Sequence, residues 1–523
     1  MFHQWFDKQW FDKPFRMILA SHAAVFAVAI AVFHQQIPSL IILSLILAGV
    51  ATLTVYKLEW GIAALFAELF ANSHGHLIYG FVGGQQVGLR MAVFGGLMSG
   101  YLLSLILRRT RLPKIDQRLL SFVPLGLAAI YGLAIGWQTH GMAAIADGNG
   151  YFYLLAIFPI TSVRWTNERR HIILQTLSAG AIWMVIVTLG LFFIFSHVPL
   201  FKLGSTYMFI RDTRTGELTQ QVGNLFRVFL PGQFSIVVFL LIVIAMMPLR
   251  LWRTNRWLVL GTISTLTASL AISLSRSFWL GLIAGLGSLL PLAIIVFRPT
   301  LKEAIKSVLT AGVGMLAGFI VIILLVLAPL PGSGSRSLSE LTGIFAERST
   351  GFSGAAIDSR WKLLDPLWTL IKEKPITGHG FGQTVTFVTD DPRIRAEQPD
   401  GHYETYSLEW GWLELWLKMG IVAPLAFIYL ISYQAWMLWK QRQNAGWLAI
   451  GLIASLVFLV VTHIFSPYLN HPLGLGLLLF VVAFLKEEKV EIDKSLEEQP
   501  LEKRRFSPLV HVPQPLTSKI NHH

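Results

Sequence analysis

Five side chains of this 523-residue chain have the type and setting for chemistry on a charged substrate. Arg276 stands in Ser275-Arg276-Ser277-Phe278-Trp279, between two apolar runs with almost no loop. An ionisable side chain at the edge of an apolar layer is expected to be functional; the plain alternative is a charge snorkelling to the interface beside Trp279. Arg360 opens a stretch of helical periodicity, and Arg227 precedes another apolar run in Asn224-Leu225-Phe226-Arg227-Val228. Arginine stays charged at any relevant pH, and its planar fork binds two oxygens at once. Several converging arginines therefore suit a diphosphate or other polyanion, and equally a carboxylate. His402, in Asp400-Gly401-His402-Tyr403-Glu404, has the nearby carboxylates that orient an imidazole and raise its basicity, as a general base needs. His379 lies in Gly378-His379-Gly380-Phe381-Gly382, where the glycines suit a tight turn or the close approach of a ligand.

Other chemistries lack their residues. There is no cysteine, which excludes disulfides, thiolate zinc sites, iron–sulfur clusters and a thiol nucleophile. No HExxH or Walker sequence occurs. Asp390-Asp391 is loop-borne, with Pro392 following, and is a weak metal candidate. His463 and His471, flanking HIFSPYLNH, are weaker base candidates than His402. The expected site uses neither metal nor cofactor.

The elements that must position these groups are membrane helices. Hydrophobic residues make up 54% of the chain and charged residues 14%, with a mean hydropathy of +0.60. A soluble chain of this length would be about a quarter charged. The expected fold class is all-α, a polytopic transmembrane bundle. Apolar runs of membrane-crossing length fall at 16–34, 38–56, 58–72, 87–107, 118–137, 151–163, 171–196, 228–248, 257–275, 277–297, 307–330, 408–437, 446–465 and 471–485. Segments 58–72 and 151–163 are weak, so the expectation is 12–14 spans.

The net charge of +13 would suggest nucleic acid in a soluble protein. Here it sorts by side. The N-terminal stretch, Lys57, the turns after 107, 163, 248, 297 and 437, and the tail hold 27 of the 42 Lys and Arg. The positive-inside rule puts them, and both termini, in the cytoplasm. No nucleic-acid partner is expected; membrane lipid is. No cleavable signal peptide is evident, and Trp5 and Trp10 fit an interfacial anchor. The chain then divides into helices over 1–330, an outward loop over 331–407, C-terminal helices over 408–485 and a disordered tail over 486–523. In the loop, Leu363, Leu367, Leu370 and Ile371 share one face of an amphipathic helix that lies on the membrane or caps a cavity, and that stops at Pro375.

Taken in order, these motifs resemble the O-antigen ligase and O-antigen polymerase superfamily. Ser275-Arg276 through Gly281 resembles its SR segment. Arg360-Trp361, followed by Ile371 to Gly382, resembles its R…W…P…GxGxG stretch. His402 with Leu413-Glu414 through Val422 resembles an element that re-enters the membrane, and Arg227 with Pro231 resembles the segment before an earlier span. Tyr403 replaces the asparagine usual after the histidine, and the spacing from His402 to Glu414 is longer than typical. His379 therefore stands as fallback base.

The resemblance implies a GT-C-like membrane glycosyltransferase, metal-independent and inverting, in the bacterial cytoplasmic (inner) membrane. It implies transfer of a glycan from an undecaprenyl-diphosphate carrier to a sugar hydroxyl, on lipid A core or another glycan, at the outer face. Arg276, Arg360 and Arg227 would bind the diphosphate, and His402 would take the acceptor proton. An alternative is a transporter of an anion or lipid-linked glycan, with the arginines as a gate. Few polar residues fall in mid-span, which favours a one-sided site. A scaffold or export partner is a third reading, and it leaves the arginine–histidine set without a role.

Overall fold

The computed structural model describes residues 10–221, 225–247, 256–328, 343, 355–390 and 392–487. Trp5, the start of the outward loop, Asp391 and nearly all of the tail lie outside the described residues.

The protein is a bundle of apolar helices, and the all-α expectation holds. Among the described residues, ten helices are long and apolar enough to cross a membrane, and three shorter apolar helices accompany them. The first half contains α1 (Lys13–Ala31), α2 (Gln36–Tyr56), α3 (Leu58–Ala71), α4 (Leu89–Ile106), α5 (Gln117–Leu120), α6 (Val123–His140), α7 (Met142–Gly148), α8 (Ile157–Ser162), α9 (Asn167–His197) and α10 (Gly204–Asp212). The second half contains α11 (Phe234–Ala245), α12 (Arg256–Ser273), α13 (Arg276–Phe297), α14 (Leu301–Leu327), α15 (Ala355–Glu373), α16 (Pro392–Glu397), α17 (Gly411–Met419), α18 (Val422–Lys440), α19 (Arg442–Phe465) and α20 (Pro472–Val482).

Both weak segments are helical. Segment 151–163 joins α7 through a 3-10 turn into one apolar run, Met142–Ser162. Segment 58–72 is α3, whose 14 residues span about 21 Å, short of the ~30 Å hydrocarbon layer. Its Glu68 is buried and paired with Arg90.

Close helix contacts come from small residues. In lipid, apolar surface gains little by leaving one apolar medium for another, so helices associate by backbone approach and van der Waals fit. Gly96 and Gly100 let α4 rest on the backbone of α2 at Leu47 and Ala51. Gly281 and Gly285 do the same for α13 against Thr462, Phe458 and Ala454 of α19. Gly314 and Gly318 seat α14 on Ile263 and Ser264 of α12.

Two expectations need correction. The run 408–437 is not one span. It breaks at Gly420 (φ +70°) into the nine-residue α17 and the spanning α18, because Gly420 packs against the Ile376 carbonyl where no Cβ fits. Trp10 is no interfacial anchor: it is fully buried and its indole N–H donates to Ser178 Oγ at 3.0 Å, the partner a buried indole requires. Three antiparallel hairpins also occur, β1–β2 (Tyr79–Val82 with Gln85–Gly88), β3–β4 (Glu217–Gln220 with Phe226–Phe229) and β5–β6 (Val385–Val388 with His402–Thr405).

The amphipathic helix α15 caps protein rather than lying on a membrane with its apolar face. Leu363, Leu367 and Ile371 are buried in a small separate core with Val385, Phe387, Leu408 and Leu417. The turn Gly378–Gly382 fastens this unit to the bundle. All three glycines have positive φ, Gly380 touches the backbone of Gly136, and Phe381 is buried against Gly132, Gly136 and Gly148. The glycines thus serve helix docking rather than ligand approach.

Candidate active site at one end of the bundle

Turns at the ends of several helices meet at one end of the bundle. Gly232 N–H donates to Ser73 Oγ at 3.2 Å, Ser466 Oγ to Ser277 Oγ at 3.0 Å, and Trp410 packs on Phe465 at 5.6 Å between ring centres.

Arg276 is the first residue of α13 and is half-buried. Leu274, two residues before it, is held at φ +49°, a left-handed conformation costing a non-glycine residue about 1–3 kcal/mol. That strain turns α12 into α13 with no intervening loop. A cation on the first turn of a helix also opposes the helix dipole, so stability alone does not explain this arginine. Arg227, on β4, comes to the same turn: its Nε donates to the Ser273 carbonyl at 2.9 Å, and Nη1 lies 3.4 Å from Glu217. The guanidinium covers the Phe229 ring at 4.9 Å. Two of the three expected arginines therefore lie at the Ser273–Arg276 turn.

Arg360 and His402 belong to the capping unit. Arg360 pairs with Glu409, and its carbonyl accepts from Trp410 Nε1 at 2.8 Å. Its neighbour Ser359 bonds to Thr389, next to Val388, the residue opposite His402 across β5–β6. The His402 ring is exposed and makes no hydrogen bond among the described residues; its backbone N–H donates to Asp400 Oδ1 at 3.2 Å. The turn 462–468 links the two arms, touching Ser277 on one side and Trp410 and Trp412 on the other.

His379 is buried, with Nε2 2.8 Å from the Leu370 carbonyl. His463 is buried against Trp412, and its Nδ1 accepts from Leu469 N–H at 3.2 Å. Asp390 is engaged by Lys362 and Arg395, which lower its pKa by hydrogen bonding and by charge. No group of three or more His, Asp or Glu among the described residues is placed to hold a metal ion.

One set of buried ionisable side chains escaped the sequence reading. Lys418 is buried, with Nζ 2.6 Å from both Asp147 and Glu414 and 2.9 Å from the Tyr406 carbonyl. Asp147 also accepts from Gly382 N–H at 2.8 Å. The signal was an ionisable pair at i,i+4 inside an apolar run.

Fold and site together define a multi-pass membrane protein whose polar side chains gather at one end of a helical bundle. Residues 260–428 match the family model described as O-antigen ligase, a stretch that contains Arg276, Arg360, His379 and His402 but not Arg227. Over this stretch the chain is similar to the O-antigen ligase family. No curated protein and no solved structure gives a match.

Proposed function

We propose that the protein transfers a glycan from an undecaprenyl-diphosphate carrier to an acceptor sugar hydroxyl at the outer face of the bacterial cytoplasmic membrane, without a metal and with inversion. The observation that carries this reading is that Arg227 bonds to the strained turn Ser273–Arg276, and that this turn lies in the stretch matching the O-antigen ligase family model. The acceptor oxygen attacks the anomeric carbon, and the bond from that carbon to the phosphate oxygen breaks. The electron pair leaves on the diphosphate, and the hydroxyl proton passes to His402. A diphosphate leaving group needs its charge neutralised rather than a proton, which is work for guanidinium groups. Arg227, Arg276 and Arg360 take that role, with Arg360 exchanging Glu409 for the substrate. The half-buried arginines draw the diphosphate to the membrane edge while the polyprenyl chain stays in lipid.

A ligase and a polymerase make the same bond exchange and differ in acceptor. The test is reconstitution in proteoliposomes with a diphosphate-linked glycan donor, offered either lipid A core or a second lipid-linked glycan, in the presence of a chelator. Product on either acceptor supports the reading and names the type. Movement of intact donor across the membrane with no new glycosidic bond would replace it with transport.

A further inference from the structure

A second cluster of chemistry-bearing side chains lies in the turn between α3 and β1. Arg90, at the start of α4, is buried and ion-paired with Glu68 at 2.9 Å. The turn wraps its side chain: Nη2 donates to the carbonyls of Asn72 (3.0 Å) and Ser73 (3.2 Å), and Arg90 N–H donates to the Gly75 carbonyl at 3.1 Å. Gly75, at φ +78°, rests on the arginine stem where a side chain would collide. His74 and His76 flank that glycine, so the wrapped guanidinium fixes both imidazoles. Nη1 of Arg90 is buried and has no partner among the described residues.

Two distant segments complete the cluster. His471, preceding α20, has Nε2 3.2 Å from His74 Nδ1. Arg214, exposed and in a left-handed turn after α10, places a positive charge that acts on His74 and His76. Burial first, and then Arg90 and Arg214, push His74 and His76 down to about 4. Burial, then His74, Arg90 and His76, push His471 well below its usual value. The charge facing the imidazoles is thus that of Arg90, balanced by Glu68, and of Arg214.

With the rings neutral, their partners fix the tautomers. Leu473 N–H donates to His471 Nδ1 at 3.3 Å, so His471 carries its proton on Nε2 and donates it to His74 Nδ1. His74 then has a free N–H at Nε2. His76 Nδ1 donates to the His74 carbonyl at 2.9 Å, which leaves a lone pair on His76 Nε2. The cluster offers cationic donors, a neutral N–H and one neutral acceptor. A fully deprotonated inorganic anion such as sulfate has no donor for that acceptor. A ligand bearing both an anion and a hydroxyl uses all of them.

We propose that His74, His76, His471, Arg90 and Arg214 form a binding site for a sugar carrying an oxyanion substituent. The carboxylate or phosphate meets Arg90 Nη1, Arg214 and His74 Nε2–H, and a sugar hydroxyl donates to His76 Nε2. This goes beyond the transferase reading and does not need it, since binding is measured without turnover.

The test is titration calorimetry on the full chain in nanodiscs with glucuronate, glucose 6-phosphate, glucose and sulfate. Binding of glucuronate or glucose 6-phosphate, with glucose silent and sulfate weaker, is the expected result; whichever of the two binds names the substituent. His76→Asn and Arg214→Gln should each weaken that binding roughly tenfold. Arg214 is exposed, so its variant keeps the test valid if the histidine variant fails to fold. Binding of neither anionic sugar, equal binding of glucose, sulfate binding as well as the sugars, or unchanged binding by Arg214→Gln would each overturn the proposal.

Discussion

Lys418 Nζ lies 2.6 Å from the Asp147 carboxylate, 271 residues earlier in the chain, and this contact ties the capping unit to the membrane bundle. The same carboxylate holds Gly382 N–H, and the same ammonium holds Glu414 and the Tyr406 carbonyl. Tyr406 follows the strand that carries His402, so the triad sets where the strand emerges.

Removing the ammonium leaves two buried carboxylates facing each other. Loss of one partner of a buried ion pair costs about 3–5 kcal/mol. Lys418→Met should therefore lower the melting temperature in nanodiscs, and the double variant Lys418→Met with Asp147→Leu should recover part of the loss. An unchanged melting temperature in the single variant would show that the triad does not hold the cap.

The histidine cluster gives the fold a pH dependence. His74 and His76 are neutral in the folded protein, with pKa values pushed down to about 4 by burial and by Arg90 and Arg214. In the unfolded chain they titrate near 6.5. The unfolded chain therefore binds more protons between these values, so stability is fully present above about pH 6.5 and is lost as pH falls towards 4. His74→Asn with His76→Asn should flatten the fall in melting temperature across that window. An equally steep fall in the double variant would contradict the assignment.

His402 and His379 should separate by phenotype. His402 is exposed with an unengaged ring, whereas His379 is buried and bonded to the Leu370 carbonyl. His402→Ala should slow transfer by roughly 10²–10⁴-fold, the usual contribution of a general base, while donor binding survives. His379→Ala should lower the melting temperature instead. Unchanged turnover in His402→Ala would remove the base role from this residue.

The bundle was legible in the sequence because apolar runs near 20 residues have few alternatives to spanning helices. Arg276 stood out in the sequence because a charge between two such runs is either functional or snorkels to the interface. The break at Gly420 was hidden: Lys418 and Glu414 sit within a run whose average stays apolar, and their partner Asp147 is far away in sequence. Four-residue strands carry too little alternation to reveal the hairpins. The glycine pairs on α4, α13 and α14 stand in plain sight, but only the packed structure shows which helix each meets. Nothing in the sequence marks His74 and His76, because Arg90, which their turn wraps, comes from the next helix. The turn Gly378–Gly382 left a tight turn and ligand approach open in the sequence, and only the structure shows Phe381 buried against the bundle.

The central claim is that the arginine pair at Ser273–Arg276 neutralises a departing diphosphate. The direct measurement is single-turnover glycan transfer in proteoliposomes by the parent protein, Arg276→Ala and Arg276→Lys. Loss of one charged donor to developing negative charge costs roughly 10²–10³-fold in rate. The account predicts a loss of that size in Arg276→Ala and partial recovery in Arg276→Lys, with the melting temperature unchanged in both. Transfer by Arg276→Ala at the parent rate would contradict it.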